Sequence, residues 1–241
     1  MKLSTIFIIA AVIVSLAMLT AYNFSLKASY QKGGYKDRFN ELEFSNVKEL
    51  TELQVNCANR FNINVERGPK EGLWIRAKVR KLVKVTQVAG RLTIDMTDEA
   101  KELGFNTSDG DIILFSNSLN TINTTSYFNK EQMEKKWFYN SGEIRVKGLA
   151  GDLLNLGIGK FTTIYMDGVK LATLKARVGE AGSEGATLTV DAANQIAFAD
   201  FSLPGKNKIE LLNPKIVKTH YNLSDSATVT LSGEMLRGIN K

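Results

Sequence analysis

The chain has 241 residues, 44% hydrophobic and 23% charged, enough to build a sizeable core in one or two globular domains. Nineteen Gly against 3 Pro, with no low-complexity tract, exclude collagen and a Pro-rich linker protein, while one Cys and one His exclude an intrachain disulfide framework, a Cys/His zinc site and any two-His metal centre. The net charge of +6 comes from 31 Lys and Arg scattered among 25 Asp and Glu, so no basic run points to nucleic acid and no cofactor is expected.

The first predicted element is Leu3–Ala21, an apolar run without a charge. As a helix rising ~1.5 Å per residue it would span about 28 Å of hydrocarbon, long enough to cross a membrane. Lys2 supplies a short basic start. The run is longer than a secretory core, and Leu19-Thr20-Ala21 puts Leu where a cleavage site wants a small residue. This favours a retained signal anchor over a cleaved signal peptide at 1–22. An N-terminal segment of this kind directs the rest of the chain out of the cytoplasm. Residues 23–39 then read as a polar juxtamembrane linker.

From Leu53 the apolar residues alternate: Leu53, Val55 and Cys57, then Phe61, Ile63 and Val65 across Ala58–Arg60. That period predicts two strands joined as a hairpin. Leu73, Ile75, Ala77 and Val79 continue the alternation, and Val83 and Val85 pair with Leu92, Ile94 and Met96 across the Ala89-Gly90 turn. Thr97 before Asp98 and Glu99 predicts a short capped helical turn, and Asp111–Phe115 a short buried strand. Asn129–Phe138 predicts a short helical insert with Asn129 as its cap.

Beyond Ile144 the chain repeats. Ile196–Leu203 recurs twenty residues on as Ile216–Leu223, with an earlier copy at Leu171–Val178. A second set, Leu188–Val190, Ile209–Leu211 and Val229–Leu231, interleaves with the first. Two strands per ~20 residues, separated by turns such as Pro204-Gly205 and Asn213-Pro214, describe the coils of an all-β solenoid. One coil cannot bury its inward side chains alone; coils stacked about 4.8 Å apart would set Ile196 over Ile216 and Leu203 over Leu223.

The segments LQVNCANRFNINVERGPKEGLWIRAK (53–78), GRLTIDM (90–96), IRVKGLAGDLLNLGIGKFTTIYMDG (144–168) and LSG (231–233) resemble the auto-transporter adhesin head-GIN domain family. The resemblance covers residues 40–236 and leaves 237–241 as a C-terminal tail. It implies a right-handed β-helix-like fold behind an export or anchor signal, in the cell envelope of bacteria of the Bacteroides and Flavobacterium group. The family's Ser-Gly-Ala-Gly turns are reduced here to Gly179–Gly185, and residues 120–143 read as an insertion.

Chemistry has few places to reside. Any triad must use His220 as base. In the twenty-residue register it falls beside Asp200, both out of phase with the apolar positions, as a candidate surface pair. Sugar hydrolysis needs two carboxyls ~5–9.5 Å apart, and the acids are dispersed. Tyr127, Phe128, Trp137 and Tyr139 are candidate contacts for an envelope protein or a glycan through stacking. The expected function is therefore a membrane-anchored extracytoplasmic binding or scaffold module, adhesin-like and not an enzyme. The alternatives are an envelope carbohydrate-active enzyme on a β-helix and an envelope sensor or stress component docking through residues 126–143.

Overall fold

A computed structural model describes residues 3–33, 37–129 and 141–238, and the chain divides into two compact units, Met1–Glu41 and Leu42–Lys241. The first unit is built on α1 (Leu3–Lys32), about 45 Å long at ~1.5 Å per residue. An 18-residue window of its Leu3–Gln31 stretch has a mean hydropathy of 2.5, and none of that window is buried within the protein. Two hydroxyls inside the apolar stretch find partners in the preceding turn: Ser15 donates to the Ala11 carbonyl at 2.9 Å and Thr20 to the Leu16 carbonyl at 2.7 Å. Such bonding to the preceding turn lets Ser and Thr enter hydrocarbon. The helix runs ten residues past the anchor expected at 1–22, because Asn23–Lys32 contains neither Gly nor Pro, and Gly33, at φ 68°, turns the chain. The linker expected at 23–39 is thus helical as far as Lys32.

The second unit is mostly β. Its first part comprises β1 (Leu42–Ser45), β2 (Glu52–Val55), a 3-10 turn (Ala58–Arg60), β3 (Asn62–Glu66), β4 (Gly72–Arg76), α2 (Ala77–Arg80), β5 (Val83–Val88), β6 (Arg91–Met96), α3 (Asp98–Glu102), β7 (Ile112–Phe115) and β8 (Thr121–Thr124). The second part comprises β9 (Gly142–Lys147), β10 (Ala150–Ile158), β11 (Thr162–Asp167), β12 (Lys170–Val178), β13 (Glu184–Val190), β14 (Gln195–Leu203), β15 (Lys206–Leu212), β16 (Lys215–Leu223), β17 (Thr228–Ser232) and α4 (Glu234–Gly238). Among the described residues these strands form two open sheets, ordered β1-β4-β7-β3-β9-β11-β13-β15-β17 and β16-β14-β12-β10-β8-β2-β6-β5. From β9 onward successive strands go alternately to one sheet and the other.

The repeat predicted from spacing is present as register. Ile196 pairs with Ile216 and Leu203 with Leu223 in the parallel β14–β16 ladder, and Leu171 pairs with Ile196 across β12–β14. The interleaved set stacks likewise, Leu188 on Ile209 on Val229. The column continues upward through Ile164 and Ile144 to Ile63, and all but Val229 are buried. A facing column, Leu53, Ile122, Leu156, Ala176 and Phe201, comes from the other sheet, and both belong to one hydrophobic cluster. Pairing every backbone while stacking like side chains is what makes each twenty-residue unit stable on its neighbours.

The sheets are not uniformly parallel. β1–β4, β4–β7 and β5–β6 are antiparallel. The last of these is the predicted hairpin: Ala89 and Gly90 both have positive φ, the geometry a two-residue connection requires. The predicted Leu53–Val65 hairpin does not form. β2 pairs with β6 and β8 in one sheet, and β3 with β7 and β9 in the other, because Cys57 adopts φ 57° and the 3-10 turn carries the chain across the core. Period-two burial is the same for a hairpin as for two strands facing each other across a core. Alternation also overran at Ala77 and Val79, which lie in α2 after β4 has ended. The capped turn predicted at Thr97 is α3, with the Thr97 hydroxyl accepting the Ala100 amide at 3.3 Å. The helical insert lies, beyond Asn129, outside the described residues. Of the expected tail, α4 takes in 237 and 238 and the rest lies outside them.

Candidate functional site

The parallel register sets outward side chains in rows as well as inward ones in columns. One row across the eight-stranded sheet runs Thr121, Asn155, Lys175, Asp200, His220; the next runs Asn123, Gly157, Arg177, Ser202, Asn222. Asp200 and His220 are therefore neighbours, with Oδ1 and Nδ1 2.8 Å apart. Their side chains are 39% and 64% exposed. A solvated pair of this kind contributes at most about 1 kcal/mol to stability. Among the described residues His220 has no Ser, Thr or Cys hydrogen-bonded to it, and the pair stands on an open ladder face.

The aromatic candidates are divided. Tyr127 and Phe128 follow β8, whereas Trp137 and Tyr139 lie outside the described residues. Tyr127 is clamped to the corner after β2: the buried Asn59 side chain donates to the Tyr127 carbonyl at 3.0 Å and accepts its amide at 2.9 Å. The Arg60 guanidinium and the Lys101 ammonium stand 5.6 Å and 5.5 Å from the Tyr127 ring centroid, and the ring packs against the core. Phe128 meets Phe161 edge to face at 5.8 Å. Beside that pair a hollow of about 570 Å³ opens among the corner loops, bounded by Ser183, Pro204 and Lys206.

Two clusters escaped the sequence reading. On the outer face of the nine-stranded sheet, Phe44, Trp74 and Phe115 stack across β1, β4 and β7 with ring centroids 4.9 Å apart at each step. Lys70 stands 4.0 Å over Phe44, which is 40% exposed. The signal was available: Trp74 falls between the inward Leu73 and Ile75, in the phase that should be polar. Further along the same face Arg145 holds both Asp109, at 2.7 Å, and Glu143. Burial opposes the ionisation of Asp109, but the amide of Asn64 and the charge of Arg145 outweigh it and hold the carboxyl below its usual range.

Cys57 lies buried just after β2, its thiol 3.2 Å from Asp95 Oδ1. Burial first, and then the Asp95 carboxylate, push the thiol up to about 12. It is a packed, protonated group and a poor nucleophile. Burial works against the Asp95 charge, but hydrogen bonds from Cys57, Asn56 and Lys101 hold that carboxyl below its ordinary value.

No protein-family model matches the chain, and no curated protein does. Solved structures to which it is similar include a crystal structure from Bacteroides fragilis named as a candidate adhesin, with a TM-score of 0.44 and 14% identity over 79% of this chain and 96% of that one. A candidate lipid-binding protein from Parabacteroides distasonis gives 0.41 and 13% over 80% and 96%. A candidate adhesin from Parabacteroides merdae gives 0.34 and 12% over 80% and 95%. Likeness of this degree says nothing of what this chain binds.

Proposed function

We propose that the chain is a membrane-anchored, extracytoplasmic binding or scaffold module of the bacterial cell envelope, adhesin-like and without catalysis. Its second unit would be a right-handed solenoid of the head-GIN kind, as the sequence resemblance implies. The observation that carries the reading is the pairing in one chain of an exposed apolar stretch of α1, uncharged from Leu3 to Ala21, with a separate unit of stacked, mostly parallel strands. A helix apolar all round has to be enclosed, and a bilayer encloses it. Ladders of stacked strands offer rows of outward side chains at a fixed spacing, suited to holding an extended partner.

The carbohydrate-active alternative requires one protonated and one ionised carboxyl facing a common space. The two carboxylates brought together, Asp109 and Glu143, are both engaged by the Arg145 guanidinium. Asp200 has a histidine, not an acid, as its hydrogen-bonded neighbour.

Expression of the full chain with a C-terminal epitope tests the reading. It should stay in the membrane through alkaline carbonate washing, keep residues 1–21 in its mature mass and be digested by protease added to spheroplasts. A soluble product lacking residues 1–21, or an epitope protected inside spheroplasts, would contradict it.

A further inference from the structure

The outward face of β12, β14 and β16 carries more cations than acids, and on the other strands of the eight-stranded sheet Glu52 and Asp95 are held by Arg91 and Lys101, with Asp152 on β10 the further acid. Lys170, Lys175 and Arg177 on β12, and Lys215 and Lys218 on β16, are all exposed. On β12, β14 and β16 the one acid is Asp200, engaged by His220. None of those five cations forms an ion pair among the described residues. The nine-stranded sheet differs: there Arg145 holds Asp109 and Glu143, and Lys208 holds Glu210 at 2.5 Å. Cations in excess of acids on one face raise a positive potential that draws an anionic partner.

The same face has a groove of about 400 Å³. It opens because the position between Asn123 on β8 and Arg177 on β12 is Gly157; a Cβ there would come within 2.6 Å of the Asn123 side-chain oxygen. Asn155, Lys175, Asp200 and Ser202 border it. Amide, hydroxyl and carboxylate groups exchange hydrogen bonds with sugar hydroxyls, while Lys175 and the forked guanidinium of Arg177 match a carboxylate. Adjacent strands stand about 4.8 Å apart, close to the length of one pyranose, so a chain of sugars laid across the strands meets a fresh polar side chain at each unit.

We infer that this groove binds an acidic polysaccharide, a linear carboxylated chain lying across β8, β10, β12 and β14, its carboxylates on Lys175 and Arg177 and its hydroxyls on Asn155, Asp200 and Ser202. The inference rests on the proposed reading of the chain as an envelope binding module. An anionic bilayer is the poorer occupant, because it is flat where the groove is recessed.

The full chain in nanodiscs of uncharged phosphatidylcholine, titrated with polygalacturonate, tests it. Polygalacturonate should bind, more weakly as salt is added, and dextran should not. K175E/R177E should lower the affinity at least about tenfold, whereas K206E, on the other sheet, should leave it within about twofold. G157V fills the groove without altering a charge and should also weaken binding; all variants should melt as the parent does. The inference is overturned if polygalacturonate binds no better than dextran, if G157V binds as the parent does, or if phosphatidylglycerol vesicles are bound in preference to the polymer. None of these results bears on membrane retention or on the protease test, so a chain that passes those and fails here loses the ligand and keeps the envelope assignment.

Discussion

Cys57 shows how one residue serves several ends. It precedes the 3-10 turn that follows β2, bends the chain through left-handed φ space, fills core volume and donates to Asp95. Its pKa also makes it a stability term with a definite sign. The folded thiol titrates near 12 and the free one near 9.0, so the protonated form stabilises the fold fully below about pH 9, and that contribution is lost as pH rises from 9 towards 12. Tyr165 adds to the same slope: its hydrogen bond to Asp191 at 2.8 Å, and then burial, raise it to about 12. Cys57→Ser keeps the donor and removes the titration. Urea unfolding should therefore show a smaller fall in midpoint between about pH 8 and pH 11 for the variant than for the parent. Equal falls would mean that Cys57 is not a source of the slope. The inward alternation of Leu53, Val55 and Cys57 was legible as sequence. The left-handed backbone was not, because Cys rarely adopts it and only the corner demands it.

At the scale of elements, the parallel ladders are tied at their corners by buried asparagines. Asn194 is fully buried; its side chain accepts the Val169 amide at 2.9 Å and donates to the carbonyls of Met166 at 2.8 Å and Asp191 at 2.7 Å. Asn207 repeats the device, accepting the Ala186 amide at 3.1 Å and donating to the Ser183 hydroxyl at 3.1 Å. Corner backbone leaves donors and acceptors that no strand pairs, and a short amide satisfies them without water. Asn194→Ala strands three such groups and should cost about 2–4 kcal/mol in denaturant unfolding; a loss under about 0.5 kcal/mol would show that the corner rearranges freely. The strands of the second half were readable because Ile196 and Ile216, or Ile209 and Val229, recur at one interval. The first half lacks that interval. Alternation alone left Leu53–Val65 open to a hairpin or a crossing, and the corner chemistry of Asn59 and Arg60 decided for the crossing. The same absence hid the Phe44, Trp74 and Phe115 stack, whose members are distant in sequence and meet only through β1, β4 and β7.

For the whole molecule the consequence of open sheets is exposed edges. β16 and β17 are the last strands of the two sheets, and beside them Ile216, Tyr221, Leu231 and Met235 line a hollow of about 530 Å³. Lys215 and Lys218 are exposed on β16, next to Val217 at 87% exposure, and charges at an edge oppose pairing with another chain. Replacing both in K215V/K218V should promote association, read as a larger species in light scattering at a concentration where the parent stays dispersed; unchanged size would show that the edge is guarded otherwise. The second half of the fold depends on the stacking of β14 on β16 in parallel register. In a Cys57→Ser background, D200C/H220C and D200C/N222C compare the paired residue with its neighbour two along. Parallel neighbours lie within the ~4.4–6.8 Å that a disulfide spans, and the offset pair lies beyond it. Mild oxidation followed by intact-mass measurement should show rapid loss of two thiol hydrogens from D200C/H220C and little from D200C/N222C. Equal rates, or faster closure of the offset pair, would contradict the ladder.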